Sequence, residues 1–178
     1  MKEEEVILVN SEDEILGTMP KMEAHQKGIL HRAFSIFLLN SDKELLLQKR
    51  SNSKYHSPGL WTNTCCSHQR IDETSIQAGT RRLKEEMGIN ADLIEAFTFK
   101  YKTSFNNGLT EHEFDHVLIG YSNEIPKINI HEVSEWRWSN IKFVKNDILM
   151  NPNLYTVWFK IILDQFINYI NKDESYSK

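Results

Sequence analysis

Cysteine is scarce in this chain: its 178 residues include only two, Cys65 and Cys66, and the two are adjacent. Neighbouring side chains on an extended segment point to opposite faces, so a disulfide bond between these two residues would be strained. Two thiols that do not pair easily are typical of a reducing compartment. They also leave one thiol free for chemistry.

Long apolar runs and an excess of positive charge are missing as well. No apolar run approaches the roughly 20 residues that span a membrane, and residues 1–5 are charged, unlike a signal peptide. The net charge is −4 and the sequence pI about 6.0, so no overall basic field favours nucleic acid. These features predict a cytoplasmic protein with neither a membrane nor a nucleic-acid partner. A phosphorylated ligand would need a local cluster of cations.

What the chain does contain is typical of one compact soluble domain. Hydrophobic residues make up 40% and charged residues 26%, and no linker, internal repeat or low-complexity segment is visible. We therefore predict a single domain over residues 1–178, with a monomer as the expected state. The last residues, from about Asp173, are predicted to be frayed.

Apolar patterning and turn residues predict strands before and after a central helix, and a second helix at the end. The central helix starts after a cap at Asp72 or Thr74 and ends at Gly88. Its predicted apolar face comprises Ile76, Leu83 and Met87. The predicted strands are 6–9, 33–39, 45–48, 93–101, 113–121 and 135–139, with 33–39 and 45–48 as a hairpin. The last helix, about 152–171, is predicted to bury Leu154, Trp158, Ile161, Ile162 and Phe166. The fold class is mixed α/β (α+β).

Paired polar residues on the strands predict a site. Glu111 and Glu113 are two apart, so a strand would direct both carboxylates to one face and His112 to the other. Cys66 and His68 follow the same rule. Nitrogen and oxygen ligands together favour a metal ion with five or six ligands. For any single histidine, however, a surface or satisfied core position is the commoner outcome.

The segment 67–89 resembles the Nudix box, a loop–helix–loop that directs carboxylates toward a metal-bound diphosphate. The matching residues are Glu73, Arg81, Leu83, Glu85, Glu86, Gly88 and Ile89. Two positions depart: Ser67 stands for a glycine, and Arg82 stands for a glutamate. That glutamate is a metal ligand that Nudix hydrolases usually need, so its loss argues against hydrolysis. By itself, a run of mixed charge on a helix is more often a solvated face.

Four further segments stand out: Thr-Asn-Thr-Cys-Cys-Ser-His at 62–68, Glu-His-Glu at 111–113, Trp-Phe-Lys at 158–160, and the upstream His25 and His31. Together they resemble the type I isopentenyl-diphosphate isomerases, which carry a degenerate Nudix box. The resemblance spans about residues 6–170. It departs at Gln69 and Val157, where proline is common in the family, and neither departure removes a reacting group. The resemblance implies a Nudix-like mixed β-sheet between helices.

The resemblance also implies an activity and a set of roles. The activity is interconversion of isopentenyl and dimethylallyl diphosphate by protonation and deprotonation through a tertiary carbocation. A tightly bound Mn²⁺ or Zn²⁺ is held by His25, His31, His68, Glu111 and Glu113. Glu86 helps to place an Mg²⁺ ion that arrives with the substrate. The diphosphate is bound by Lys21, Arg50, Lys54, Arg81 and Arg82.

The resemblance assigns the chemistry to four residues. Glu113, beside Tyr101, delivers one proton, and Cys66 removes the other as a thiolate, with the roles exchanged in reverse. Trp158 faces the cation, which an aromatic ring stabilises through its quadrupole. Two alternatives remain: a Nudix hydrolase of nucleoside or sugar diphosphates, and a catalytically silent Nudix-like binding module.

Overall fold

The computed structural model describes residues 4–172, in which nine strands form one mixed sheet accompanied by four α-helices. The strands are β1 (Glu5–Val9), β2 (Ile15–Pro20), β3 (His31–Leu39), β4 (Glu44–Arg50), β5 (Trp61–Thr62), β6 (Cys65–Ser67), β7 (Leu93–Ser104), β8 (Thr110–Tyr121) and β9 (Val133–Asn140). The helices are α1 (Lys21–Lys27), α2 (Ser75–Met87), α3 (Ile141–Met150) and α4 (Val157–Lys172), and a 3-10 turn covers Pro152–Leu154.

Strand β3 lies at the centre of the sheet and fixes the register of the site. It pairs in parallel with β8, which sets His31 opposite Glu113. It pairs antiparallel with β6, which sets Ser35 opposite Cys66. The predicted hairpin of β3 and β4 is reduced to one pair, Leu39 with Leu45, because β4 pairs mainly with β9.

Helices cover both faces of the sheet, which confirms the predicted mixed sheet between helices. Along β3 the side chains alternate: Ile36 packs in the cluster with α2, whereas Phe37 packs in the cluster with α4. Strand β8 divides in the same way, with Leu118 on the α2 side and Val117 on the α4 side. No helix among the described residues is long and apolar enough to cross a membrane.

Helix α2 begins and ends as predicted and packs closely on the sheet. Thr74 caps its start in a capping box with Gln77, and Gly88 ends it in the left-handed region at φ 69°. At Gly79 a Cβ atom would lie 2.5 Å from a methyl carbon of Leu118, so any larger residue would force that side chain to shift. On the predicted apolar face, Leu83 and Met87 are buried, whereas Ile76 is 39% exposed.

The last helix begins five residues later than predicted, at Val157 rather than about residue 152. Tyr155 is extended and forms a β-bridge with Trp61 of β5, and Thr156 N–H donates to the Trp61 carbonyl at 3.0 Å. The predicted burial of Leu154 and Ile161 is wrong, because both are exposed.

Trp158, Ile162 and Phe166 are buried as predicted. The sequence prediction missed α1, α3 and β2. The predicted fraying from Asp173 lies outside the described residues.

Candidate active site

The five side chains predicted to hold a metal lie together. One ligand atom from each of His25, His31, His68, Glu111 and Glu113 falls in a cluster with all members within 4.8 Å of one another. All five residues are buried. They come from α1, β3, β8 and the segment after β6, so the sheet register assembles residues that are distant in the chain.

Strand alternation places the two carboxylates as expected. Glu111 and Glu113 are buried, whereas His112 points away and its Nδ1 lies 2.9 Å from the Gly28 carbonyl.

Ring nitrogens in the cluster are oriented for a metal ion. His25 Nδ1 lies 2.6 Å from the Lys21 carbonyl and His31 Nδ1 lies 2.8 Å from the Ile29 carbonyl, so both Nδ1 atoms carry the proton. Their Nε2 atoms and Oε2 of Glu111 are buried without a hydrogen-bond partner among the described residues. Histidine ligands typically donate their other N–H in this way. The donor set fits a divalent ion.

Electrostatics favour the deprotonated forms of Glu111, Glu113 and His68, whereas Glu111 outweighs burial and raises the pKa of His25. Burial acts to raise the pKa of Glu111, but the adjacent imidazoles of His25 and His56 outweigh it and hold that pKa well below its usual range. The pKa of Glu113 is also lowered, against burial, with the help of its contact with His68. Burial lowers the pKa of His68 to about 4, which keeps its imidazole neutral at physiological pH.

Glu113 is held on both oxygens. Tyr101 O–H donates to its Oε2 at 2.6 Å, and His68 Nε2 lies 3.0 Å from its Oε1. The antiparallel pairing of β7 with β8 sets Tyr101 directly opposite Glu113. Burial raises the pKa of Tyr101 well above its ordinary value, so its hydroxyl remains a donor.

Cys66 lies in the same cavity as Glu113, whereas Cys65 is fully buried in the core beneath α2. This separation follows the predicted alternation. Trp158 Nε1–H donates to Cys66 Sγ at 3.2 Å, and Sγ donates to Asn63 Oδ1 at 3.0 Å. Burial raises the pKa of the Cys66 thiol to about 12. The raised pKa favours the thiol form of Cys66 in the free protein, whereas the thiolate that the resemblance implies belongs to the reaction.

Four of the five cations predicted to bind diphosphate line this cavity: Lys21, Arg50, Lys54 and Arg82. Three of them are also paired with carboxylates. Lys21 bonds to Glu4 at 3.0 Å, while Lys54 and Arg82 both contact Glu132.

Arg50 differs from the other cations in its surroundings. Its guanidinium lies 5.3 Å from the centre of the Trp158 ring. Its Nε, like that of Arg82, is buried without a hydrogen-bond partner among residues 4–172.

Arg81 lies outside the lining of this cavity. Its Nε and a terminal nitrogen bond Glu73 at 2.6 and 2.8 Å, so both residues serve the folding of the Nudix-box segment. Glu86 is buried behind Arg82, whose guanidinium lies 2.5 Å from Oε1, and Gln48 donates to Oε2 at 3.1 Å. Glu86 does not belong to the five-residue cluster.

Sequence reasoning missed three polar residues near the reacting groups: His56, Asn63 and Asp115. Asp115 lies two residues after Glu113 on β8, so alternation alone would have placed it on the same face. Asn63 lies inside the segment 62–68 but was given no role. His56 lies in the loop between β4 and β5, where no periodic pattern indicates orientation.

Comparison with known proteins identifies the fold independently. The model of the NUDIX domain matches residues 29–157. The Deinococcus radiodurans protein DR0079 superposes with a TM-score of 0.76 at 20% identity, over 91% of this chain and 98% of that one. The MutT protein of Methanosarcina mazei gives a TM-score of 0.65 at 18% identity, over 78% and 94%. At these identities the two structures establish the fold alone.

Relatives with higher sequence identity to this chain include proteins named isopentenyl-diphosphate Delta-isomerase. An Aromatoleum aromaticum protein named isopentenyl-diphosphate Delta-isomerase 2 is 47% identical, over 93% of this chain and 88% of the relative. A Pectobacterium atrosepticum protein named isopentenyl-diphosphate Delta-isomerase is 44% identical, over 93% and 92%. The chain belongs to the Nudix family and, within it, to the family of isopentenyl-diphosphate Delta-isomerases.

Proposed function

We propose that this protein interconverts isopentenyl diphosphate and dimethylallyl diphosphate, supplying isoprenoid biosynthesis. The observation that carries the proposal is one cavity that combines Cys66, Glu113 and Trp158 with diphosphate-binding cations. A hydrolase has no evident use for the thiol or the indole, whereas a double-bond shift uses both.

The reaction is a proton shift in two steps. An acid adds a proton to the terminal alkene carbon, which leaves a tertiary carbocation, and a base removes a proton from the carbon on its other side. Glu113 and Cys66 serve as this pair and act from opposite sides of the substrate. One proton enters and one leaves, so each turnover exchanges the protonation states of the pair. An alkene is a very weak base, so the cavity must exclude water.

Trp158 stabilises the carbocation with its ring. Its Nε1–H donates to the Cys66 sulfur, which fixes the indole beside the reacting thiol. A desolvated cation over an aromatic face gains roughly 2 kcal/mol. A carboxylate in this place would instead capture the cation.

His25, His31, His68, Glu111 and Glu113 would hold the tightly bound ion, which we propose to be Mn²⁺ or Zn²⁺. When bound, this ion supplies positive charge that fixes Glu113 and tunes its acidity. Glu86 is the proposed ligand for an Mg²⁺ ion that accompanies the diphosphate. Lys21, Arg50, Lys54 and Arg82 bind the phosphate oxygens. We further propose that the protein acts in the cytoplasm as a monomer.

Hydrolysis of a nucleoside or sugar diphosphate is the rival function, and Arg82 speaks against it. This residue occupies the place of a Nudix-box glutamate, and its guanidinium contacts Glu86 at 2.5 Å. The position therefore offers a cation to the diphosphate instead of a ligand to a metal ion.

Turnover in heavy water tests the proposal. The purified protein is incubated with isopentenyl diphosphate and Mg²⁺, and the products are examined for deuterated dimethylallyl diphosphate and for released phosphate. We expect isomerisation without phosphate release, and the opposite result would favour the hydrolase.

Two variants and a control test the proton pair. Cys66→Ala and Glu113→Gln should each fall to background, and the double variant should be hardly slower, because the pair acts as a unit. Cys65→Ser is the matched control and should remain active. If Cys65→Ser is inactive while Cys66→Ala keeps near-normal activity, the assignment of Cys66 as the reacting thiol is wrong.

A further inference from the structure

His56 contacts the proposed metal centre without belonging to its five ligands. Its side chain is buried, and its Nε2 lies 2.7 Å from Oε1 of Glu111. A carboxylate can only accept, so His56 donates its Nε2–H in this bond. The other oxygen of Glu111, Oε2, lies 3.1 Å from Nε2 of His25 and has no hydrogen-bond partner among the described residues. The two carboxylate oxygens of Glu111 therefore have different surroundings.

The imidazole of His56 is held in place on several sides. It stacks on Phe105, with ring centres 4.9 Å apart and planes 16° apart. Tyr55 and Trp158 meet it edge-on at 4.5 and 5.6 Å. These contacts restrict rotation of the ring, so its N–H stays directed at Glu111.

The backbone of His56 reaches a second part of the site. Its carbonyl accepts a hydrogen bond from Arg50 at 3.2 Å. Arg50 in turn lies over the Trp158 ring. One residue thus contacts a proposed metal ligand through its side chain and a proposed diphosphate-binding cation through its main chain.

We propose that His56 is a positioning residue for the metal centre: by binding Oε1 of Glu111, it holds Oε2 toward the ion. The inference rests on the metal site of the proposed function. Hydrogen-bond partners of ligating groups commonly contribute 10- to 100-fold to metal affinity. His56 itself supplies no ligand atom, because its Nε2 is committed to Glu111.

Substitutions that remove either the N–H donor or the aromatic ring of His56, but not both, test this role. His56→Phe keeps the stacking on Phe105 but removes the donor. His56→Gln places an amide nitrogen near the position of Nε2 and keeps the donor. His56→Asn has an amide that is too short to reach Glu111, and it serves if the phenylalanine variant does not fold. His131→Phe, at an exposed histidine, is the matched control.

The measurement is the Mn²⁺ affinity of the metal-free proteins without substrate, in competition with a chromogenic chelator. We expect His56→Phe and His56→Asn to bind Mn²⁺ about 10- to 100-fold more weakly. His56→Gln and His131→Phe should stay within a few-fold of the wild type. Isomerase activity of His56→Phe should recover as Mn²⁺ is raised toward saturation, because the reacting groups are intact.

Two outcomes would overturn the inference. Unchanged Mn²⁺ affinity in His56→Phe or His56→Asn would show that the hydrogen bond to Glu111 does not contribute to metal binding. Equal losses in His56→Gln and His56→Phe would mean that the imidazole itself is a ligand. A wild-type protein that binds no Mn²⁺ would instead refute the proposed metal site, so the two failures are distinguishable.

Discussion

The thiol of Cys66 should react with alkylating agents in a strongly pH-dependent way. Burial raises its pKa to about 12, against an ordinary value of 9.0. At neutral pH the thiolate is therefore roughly a thousand times scarcer than in an unperturbed thiol, because each pH unit changes the fraction tenfold. Only the thiolate is alkylated, so the rate should fall in the same proportion.

The assay is the alkylation rate of the metal-free protein by iodoacetamide, followed by mass spectrometry of the peptide that carries Cys66. Because the pKa is raised, the rate should keep rising about tenfold per pH unit through mildly alkaline pH, without a plateau. The slope separates ionisation from access, since restricted access lowers every rate equally. In the Cys65→Ser variant, Cys66 is the one thiol that can be alkylated, so its modification is measured alone. Cys66→Ser should abolish the alkylation measured at residue 66. A plateau near neutral pH would refute the inference that Cys66 rests as a thiol.

Three further perturbations test the metal site, the phosphate site and the core. His68→Ala should lose most of the tightly bound ion in elemental analysis while His131→Ala keeps it, and unchanged content would remove His68 from the site. Arg82→Glu sets a carboxylate beside Glu86, so isomerisation should vanish without useful hydrolysis; appreciable pyrophosphatase activity would contradict this. Phe166→Ala empties a fully buried site and should cost about 3–5 kcal/mol in denaturant unfolding, whereas a loss below about 1 kcal/mol would contradict the packing.

Strand periodicity carried most of what the sequence could predict about the site. A period of two places Glu111 and Glu113 on one face and sends His112 to the other, and it separates Cys65 from Cys66. These inferences hold because β8 already begins at Thr110 and β6 covers Cys65–Ser67. Apolar patterning had predicted a strand only from residue 113 and none at 65–67. The same rule would have reached Asp115, which extends the series on β8.

The sequence could not predict the position of residues that depend on contacts with distant parts of the chain. The last helix starts at Val157 because Thr156 bonds to Trp61, and nothing within the local sequence indicates that partner. Helix α1 has seven residues, too few to show a helical period, yet it delivers His25. His56 is oriented by rings from other segments, so only the folded structure reveals its contact with Glu111.

Arg81 and Arg82 are adjacent on α2, yet their side chains have different contacts. Adjacent residues on a helix point in directions about 100° apart, so the two side chains can meet different partners. Arg82 lines the cavity, whereas Arg81 forms a salt bridge with Glu73 within the Nudix-box segment. Of the two arginines, Arg82 alone lines the cavity that holds Cys66, and diphosphate binding by Arg81 stays a prediction. Because Arg82 occupies the place of a hydrolase glutamate, one substitution removes a metal ligand and adds a cation beside Glu86.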